Sequence, residues 1–164
     1  LNGEPERAAL ARLPYIAAAV QVVCTSIASL LDASALPLME AHSTCPVCGS
    51  HPVVSVIRSE GPGAGLRYVH CSLCNTEWQV PHATCVSCGD QEKVTLHEID
   101  GDDGIARAES CGACESYMKL IVQGRNVRVD PIADDLASVA LDVLVDDAGF
   151  VRSGPNYLLI GAEA

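Results

Sequence analysis

Aromatic side chains are scarce in this sequence: one Trp, one Phe and four Tyr make up 4% of its residues. The large anchors that fill most small cores are therefore missing. Units below about 70 to 80 residues rarely hold together on apolar burial alone, so a staple of metal or disulfide is expected. Positive charge is the second shortage, with 10 Lys and Arg against 21 Asp and Glu and a net charge of -11. Nucleic acid is gripped mainly through its phosphates, so a surface of this sign excludes it as a partner. An anionic membrane surface is disfavoured for the same reason, and a protein or basic peptide fits better. Also absent are a Ser/His/Asp set and paired carboxylates in a pocket context. The stretch "GPGAG" (residues 61–65) lacks the strand-to-helix setting of a phosphate loop. These absences point to a binding or assembly protein and not to an enzyme.

Cysteine is what the chain has in quantity. Eight of its nine cysteines form four CxxC pairs: Cys45/Cys48, Cys71/Cys74, Cys85/Cys88 and Cys111/Cys114. Each cysteine of the first two pairs recurs forty residues later, which marks an internal duplication. "CPVCG" matches "CVSCG", Val54 matches Val94, Arg67 matches Arg107 and Trp78 matches Met118. A CxxC turn sets two sulfurs on one side of a tight loop, and two such turns close a tetrahedron. Four thiolates suit zinc or iron far better than calcium or magnesium. The gap of 22 residues between Cys48 and Cys71 slightly exceeds that of an ordinary zinc ribbon, but it is the same in both halves.

Of the three possible pairings of the four turns, two compete. Tandem pairing gives two independent ribbons, one ion on Cys45, Cys48, Cys71 and Cys74 and the other on Cys85, Cys88, Cys111 and Cys114; cross-braced pairing joins first turn with third. The repeat favours the tandem arrangement, because a duplicated unit should carry a complete site. A thioredoxin-like redox role needs a thiol at a helix start in a βαβ unit, which these flanking strands do not offer. With four cysteines filling each tetrahedron, His42, His51, His70, His82 and His97 read as strand or supporting residues. Cys24 stands apart on an apolar segment and reads as a small hydrophobe.

Within each half, "HPVVSVIRSE" and "KVTLHEID" read as first strands, "LRYVHC" and "IARAESC" as returning strands, and "TEWQV" and "SYMKLIV" as third strands. Each unit is then a three-stranded antiparallel meander with a knuckle at both ends. Upstream, residues 13–31 carry no charge. A signal peptide or a membrane span would also fit a segment this apolar, but its polar residues and the acids before it favour a buried helix, ended by Pro37. The first residue is Leu1 and not Met, so a missing N-terminal portion is expected. Downstream, Asp130 and Pro131 open an amphipathic helix with Ile132, Leu136, Val139, Ala140, Val143 and Leu144 on its apolar face. The pairs Asp102/Asp103, Asp134/Asp135 and Asp146/Asp147 read as solvated. The tail from Phe150 has no clear period, and either packs over a neighbour or trails free.

The motifs "CPVCGSHPV", "GLRYVHCSLCNTEW", "AESCGACESYMK" and "DDLASVALDVLVDDAGFVRSGPN" together resemble the formate dehydrogenase accessory protein family FdhE. The match runs in order from about Leu13 to the tail. The resemblance implies a cytoplasmic maturation factor that binds the catalytic subunit of formate dehydrogenase. It also implies two rubredoxin-like sites on the eight paired cysteines, with iron favoured over zinc. The alternative is a metal-stabilised zinc-ribbon interaction module. The expected fold is α+β: residues 1–40 end an N-terminal helical region, 41–80 and 81–124 form two tandem ribbons, and 125–164 form a C-terminal helix and tail.

Overall fold

In the computed structural model the described residues are 10, 12–32, 34, 36 and 43–160. The duplicated meanders are both present. β1 (Pro52–Ile57), β2 (Arg67–Cys71) and β3 (Glu77–Val80) make the first, and β4 (Val94–His97), β5 (Ala106–Cys111) and β6 (Ser116–Val122) the second. The second and third strands keep one register in both halves: Val69 pairs with Trp78 as Glu109 pairs with Met118, and Arg67 with Val80 as Arg107 with Leu120. The first strands do not. Ile57 pairs with Arg67, whereas the corresponding His97 pairs with Ala108, one residue further along, and β1 carries a bulge between Pro52 and Val54.

The two ribbons are not independent bodies. β1 lies parallel to β6 through Val54 to Ile57 against Lys119 to Val122, giving one sheet in the order β3-β2-β1-β6-β5-β4. The sequence difference between the repeats explains which first strand makes the join. Pro52 to Val56 of β1 is buried at every position, as a strand covered on both faces must be, whereas Thr95 and Leu96 of β4 are exposed at the sheet edge. Antiparallel return also brings both knuckles of a unit to the same end, since Pro52 pairs with Cys71 and Val94 with Cys111. The expected knuckle at each end is corrected accordingly.

Val53, Val54, Val56, Ala106 and Ile121 form a core at the join of the halves. Two helices pack on the sheet where one was expected: α2 (Pro131–Ala137) against β1 and β6, and α3 (Val139–Asp147) against β5. Asp130 caps the first by accepting from the N-H groups of Ile132 and Ala133. The break falls at Ser138, because the Lys119 ammonium takes the Asp135 carbonyl at 2.6 Å, an acceptor that an uninterrupted helix would use itself. The phase therefore shifts. Leu141 and Val145 are the residues buried against Ala108 and Tyr117, while Val139, Val143 and Leu144 of the expected face are exposed. Burying two such side chains contributes roughly 1.5 to 3 kcal/mol each.

The tail is anchored. β7 (Val151–Arg152) extends the sheet beside Ser116 and Tyr117 of β6, at the end that β1 leaves unpaired. Gly154 then crosses the start of β1 so closely that a Cβ would lie 1.9 Å from the Pro52 carbonyl oxygen, which only glycine permits. A 3-10 turn at Tyr157–Leu159 follows and touches α1 (Leu13–Ala28).

Helix α1 departs from expectation. Tyr15, Ile16, Val22, Val23 and Ile27 are exposed, and the one buried residue is the polar Gln21, which donates to the Ser72 carbonyl at 2.7 Å. It is not a buried helix. Among the described residues no helix is long and apolar enough to cross a membrane. Pro37 lies outside the described residues, and the helix ends earlier, at Ala28.

Candidate metal centres

At each site one knuckle precedes a meander's first strand and the other joins its second and third. Their glycines and helical-hand residues make the turns possible. Gly49 and Gly89, with φ of 75° and 80°, return their N-H groups to the carbonyls of Cys45 and Cys85 at 2.9 and 2.8 Å. Asn75 and Glu115 hold the same left-handed conformation at φ 56° and 57° after the second knuckles. Asparagine tolerates this better than glutamate does.

The sulfurs gather in tandem sets. Those of Cys45, Cys48, Cys71 and Cys74 all lie within 4.8 Å of one another, as do those of Cys85, Cys88, Cys111 and Cys114. Cys45 is 3.6 Å from Cys74 and Cys48 is 3.4 Å from Cys71; in the second site Cys85 is 3.6 Å from Cys114 and Cys88 is 3.7 Å from Cys111. A tetrahedron with metal–sulfur bonds of about 2.3 Å has edges of about 3.8 Å, so either set could hold one ion. All nine cysteines are free, and these separations are far longer than a disulfide bond of about 2.05 Å.

Hydrogen bonds prepare the sulfurs for ligation. Val47 donates to Cys45, and Leu73 and Cys74 donate to Cys71, each through the backbone at 3.4 Å. Hydroxyls of Thr76 and Ser116 meet Cys74 and Cys114 at 3.1 and 3.0 Å. In the first site the Cys45 thiol is pulled down to about 4, chiefly by its hydrogen bond with Cys71. In the second, burial pushes Cys114 up, but its bonds with Ser116 and Cys88 outweigh this and bring it to about 7. Each cage thus has one thiol held below its ordinary value.

The histidines stand outside both sets. His70 sits between Asn75 at 3.0 Å and Glu77 at 3.4 Å, His51 meets the Ser43 carbonyl, His82 meets the Gly65 carbonyl, and His97 contacts the Ser110 hydroxyl. His42 lies outside the described residues. Cys24 is less isolated than its sequence position suggests, since with Ala28 it packs on the cluster of Cys45, Cys71 and Cys74.

Two polar networks support the sites, and sequence reading missed both. Arg67 of the first repeat is buried and ion-paired with Glu109 of the second. It also donates to the carbonyls of Pro81 and Thr84 at 3.3 and 3.0 Å, fixing the linker just before Cys85. Burial lowers its pKa, while Glu109 and, less strongly, the neighbouring Cys85 favour its charge. The second network joins Lys119, Asp135, Asp142, Arg152 and Asn156. Lys119 and Asp135 have wholly buried side chains 2.9 Å apart, so Asp135 is not the solvated residue expected. The signal available was a lysine inside the apolar strand "YMKLIV", where the other repeat has Gln79.

Antiparallel meanders with two four-cysteine cages on one sheet define a tandem metal-ribbon protein of mixed α and β structure. The family model described as "FdhE, central domain" matches residues 44–82, and that described as "FdhE, C-terminal domain" matches residues 83–159. The chain belongs to the FdhE family. It is 45% identical over 119 residues to a Protein FdhE homolog of Haemophilus influenzae (strain PittEE), covering 73% of this chain and 39% of that one. To the homolog of Cronobacter sakazakii it is 39% identical over 153 residues, covering 93% and 49%. The crystal structure of the FdhE protein from Pseudomonas aeruginosa superposes with a TM-score of 0.83 at 33% identity, covering 91% of this chain and 52% of that one. The chain thus spans about half the length of these relatives, or less.

Proposed function

We propose that this chain is the metal-bearing part of a cytoplasmic accessory protein for the maturation of formate dehydrogenase, that it docks on the enzyme's catalytic subunit, and that it catalyses no reaction itself. The observation that carries this reading is the pair of four-cysteine cages within a member of the FdhE family. Cys45, Cys48, Cys71 and Cys74 hold one ion, and Cys85, Cys88, Cys111 and Cys114 the other. Iron is favoured by the resemblance; held by four thiolates it exchanges one electron, which zinc cannot do. Nine free thiols suit a reducing compartment. Residues 41–80 and 81–124 serve as the two ribbons, 1–40 belong to an N-terminal helical region, and 125–164 to the C-terminal helical segment and tail.

Elemental analysis and a visible spectrum of freshly purified protein test the metal. Two iron atoms per chain with ferric–thiolate colour support the reading, whereas colourless zinc turns it into a metal-stabilised interaction module. Docking is tested by capturing the formate dehydrogenase catalytic subunit on the tagged chain. Absence of capture by metal-replete protein refutes the partner assignment.

A further inference from the structure

The duplication supplies an internal control, because two cages of one design sit in different surroundings. At the first site the second knuckle is covered: Ser72 and Cys74 are buried, and Leu73 and Asn75 are half-buried. At the second site the corresponding residues, Gly112, Ala113, Cys114 and Glu115, are all exposed. Helix α1 makes the difference. Its Gln21 donates to the Ser72 carbonyl at 2.7 Å, its Thr25 hydroxyl accepts from Asn75 at 2.8 Å, and its Cys24 and Ala28 pack on the sulfur cluster. No described helix plays that part for Gly112 to Glu115. The first site therefore presents one exposed ligand, Cys48, and the second presents two, Cys88 and Cys114, one from each knuckle.

We propose that the two sites divide the work: the first is a retained structural centre, and the second is a labile one whose ion is exchanged through Cys88 and Cys114 with a thiolate-bearing partner. The inference rests on the reading that the cages hold metal. An incoming thiolate can bind an ion only where a protein sulfur can swing away into solvent. At the second site Cys88 and Cys114 lie on opposite knuckles, so either can leave while Cys85 and Cys111, both buried, keep the ion anchored. The step is a ligand substitution: one metal–sulfur bond forms, one breaks, the displaced thiolate takes a proton from water, and no electron moves. At the first site only Cys48 can leave in this way, because α1 packs on the cluster of Cys45, Cys71 and Cys74.

The test loads the protein with two equivalents of zinc and follows release to a chromogenic chelator in the presence of glutathione. One equivalent leaves about ten-fold faster than the other or more. Alkylation during the fast phase, mapped by peptide mass spectrometry, falls on Cys88 and Cys114. The double variant Gln21→Ala/Thr25→Val, which strips the helix of its bonds to the first knuckle, accelerates the slow phase and leaves the fast one unchanged. Release of both equivalents at one rate, or early alkylation at Cys45, Cys48, Cys71 or Cys74, overturns the division while leaving the metal reading intact. Protein that takes up no zinc refutes the metal reading and the inference with it.

Discussion

Replacing Lys119 with methionine tests whether a buried charge network fastens the C-terminal helices to the sheet. The ammonium lies 2.9 Å from Asp135, 2.6 Å from Asp142 and 3.1 Å from the Ser138 hydroxyl, with no exposed side-chain surface. Arg152 reaches the same two carboxylates at 2.5 and 3.1 Å, and Asn156 donates to Asp135 at 2.7 Å. Two cations and two anions balance, so the network is neutral as built. Methionine fills nearly the same volume but leaves the buried Asp135 and the half-buried Asp142 to one guanidinium. Breaking a buried ion pair on one side costs about 3 to 5 kcal/mol, and the remaining Arg152 places Lys119→Met near the lower figure. In a chain of 164 residues about 3 kcal/mol lowers Tm by about 6 to 12 °C. Urea unfolding at fixed, saturating metal measures the loss, since metal binding itself adds stability. The double variant Lys119→Met/Asp142→Asn restores neutrality and recovers part of the loss, a coupling that a double-mutant cycle isolates. A single-variant loss below about 1 kcal/mol, or a double variant no better than the single, refutes the reasoning.

Arg67 and Arg107 occupy corresponding positions but differ in surroundings, so Arg67→Leu destabilises by about 3 kcal/mol or more through the stranded Glu109, and Arg107→Leu, whose partner Glu98 is more than half exposed, by less than about 1 kcal/mol. Equal effects in denaturant melts contradict this. Trp78 packs on the Cys45, Cys71 and Cys74 cluster and also on the cluster that holds Val86, between Cys85 and Cys88, so its fluorescence changes more when the first site is emptied by Cys71→Ser than when Cys111→Ser empties the second. Glu77 is held below its ordinary value of 4.5, first by its hydrogen bond with His70 and then by Arg58. The stability it contributes is present above that value and lost as pH falls through the lowered one. Glu77→Gln therefore flattens this part of the acid limb, and a melt series with unchanged slope between parent and variant would sink the assignment.

The sequence by itself determined the cages. Turn chemistry is local, and a period of forty residues repeated the ligands and the register of each second strand with its third, so eight cysteines and six strands were legible without a fold. The resemblance to the FdhE family was likewise carried by short contiguous motifs. What tertiary structure decided was everything that joins one repeat to the other. The parallel pairing of β1 with β6 depends on which first strand is apolar on both faces, and only a shared sheet tells the two apart. The helix break at Ser138 comes from a lysine nineteen residues upstream, outside the reach of any helical period. Asp135 looked solvated because its partners, Lys119, Arg152 and Asn156, are distant in sequence. The unequal cover of two equal cages likewise comes from α1, about fifty residues before the knuckle that it shields.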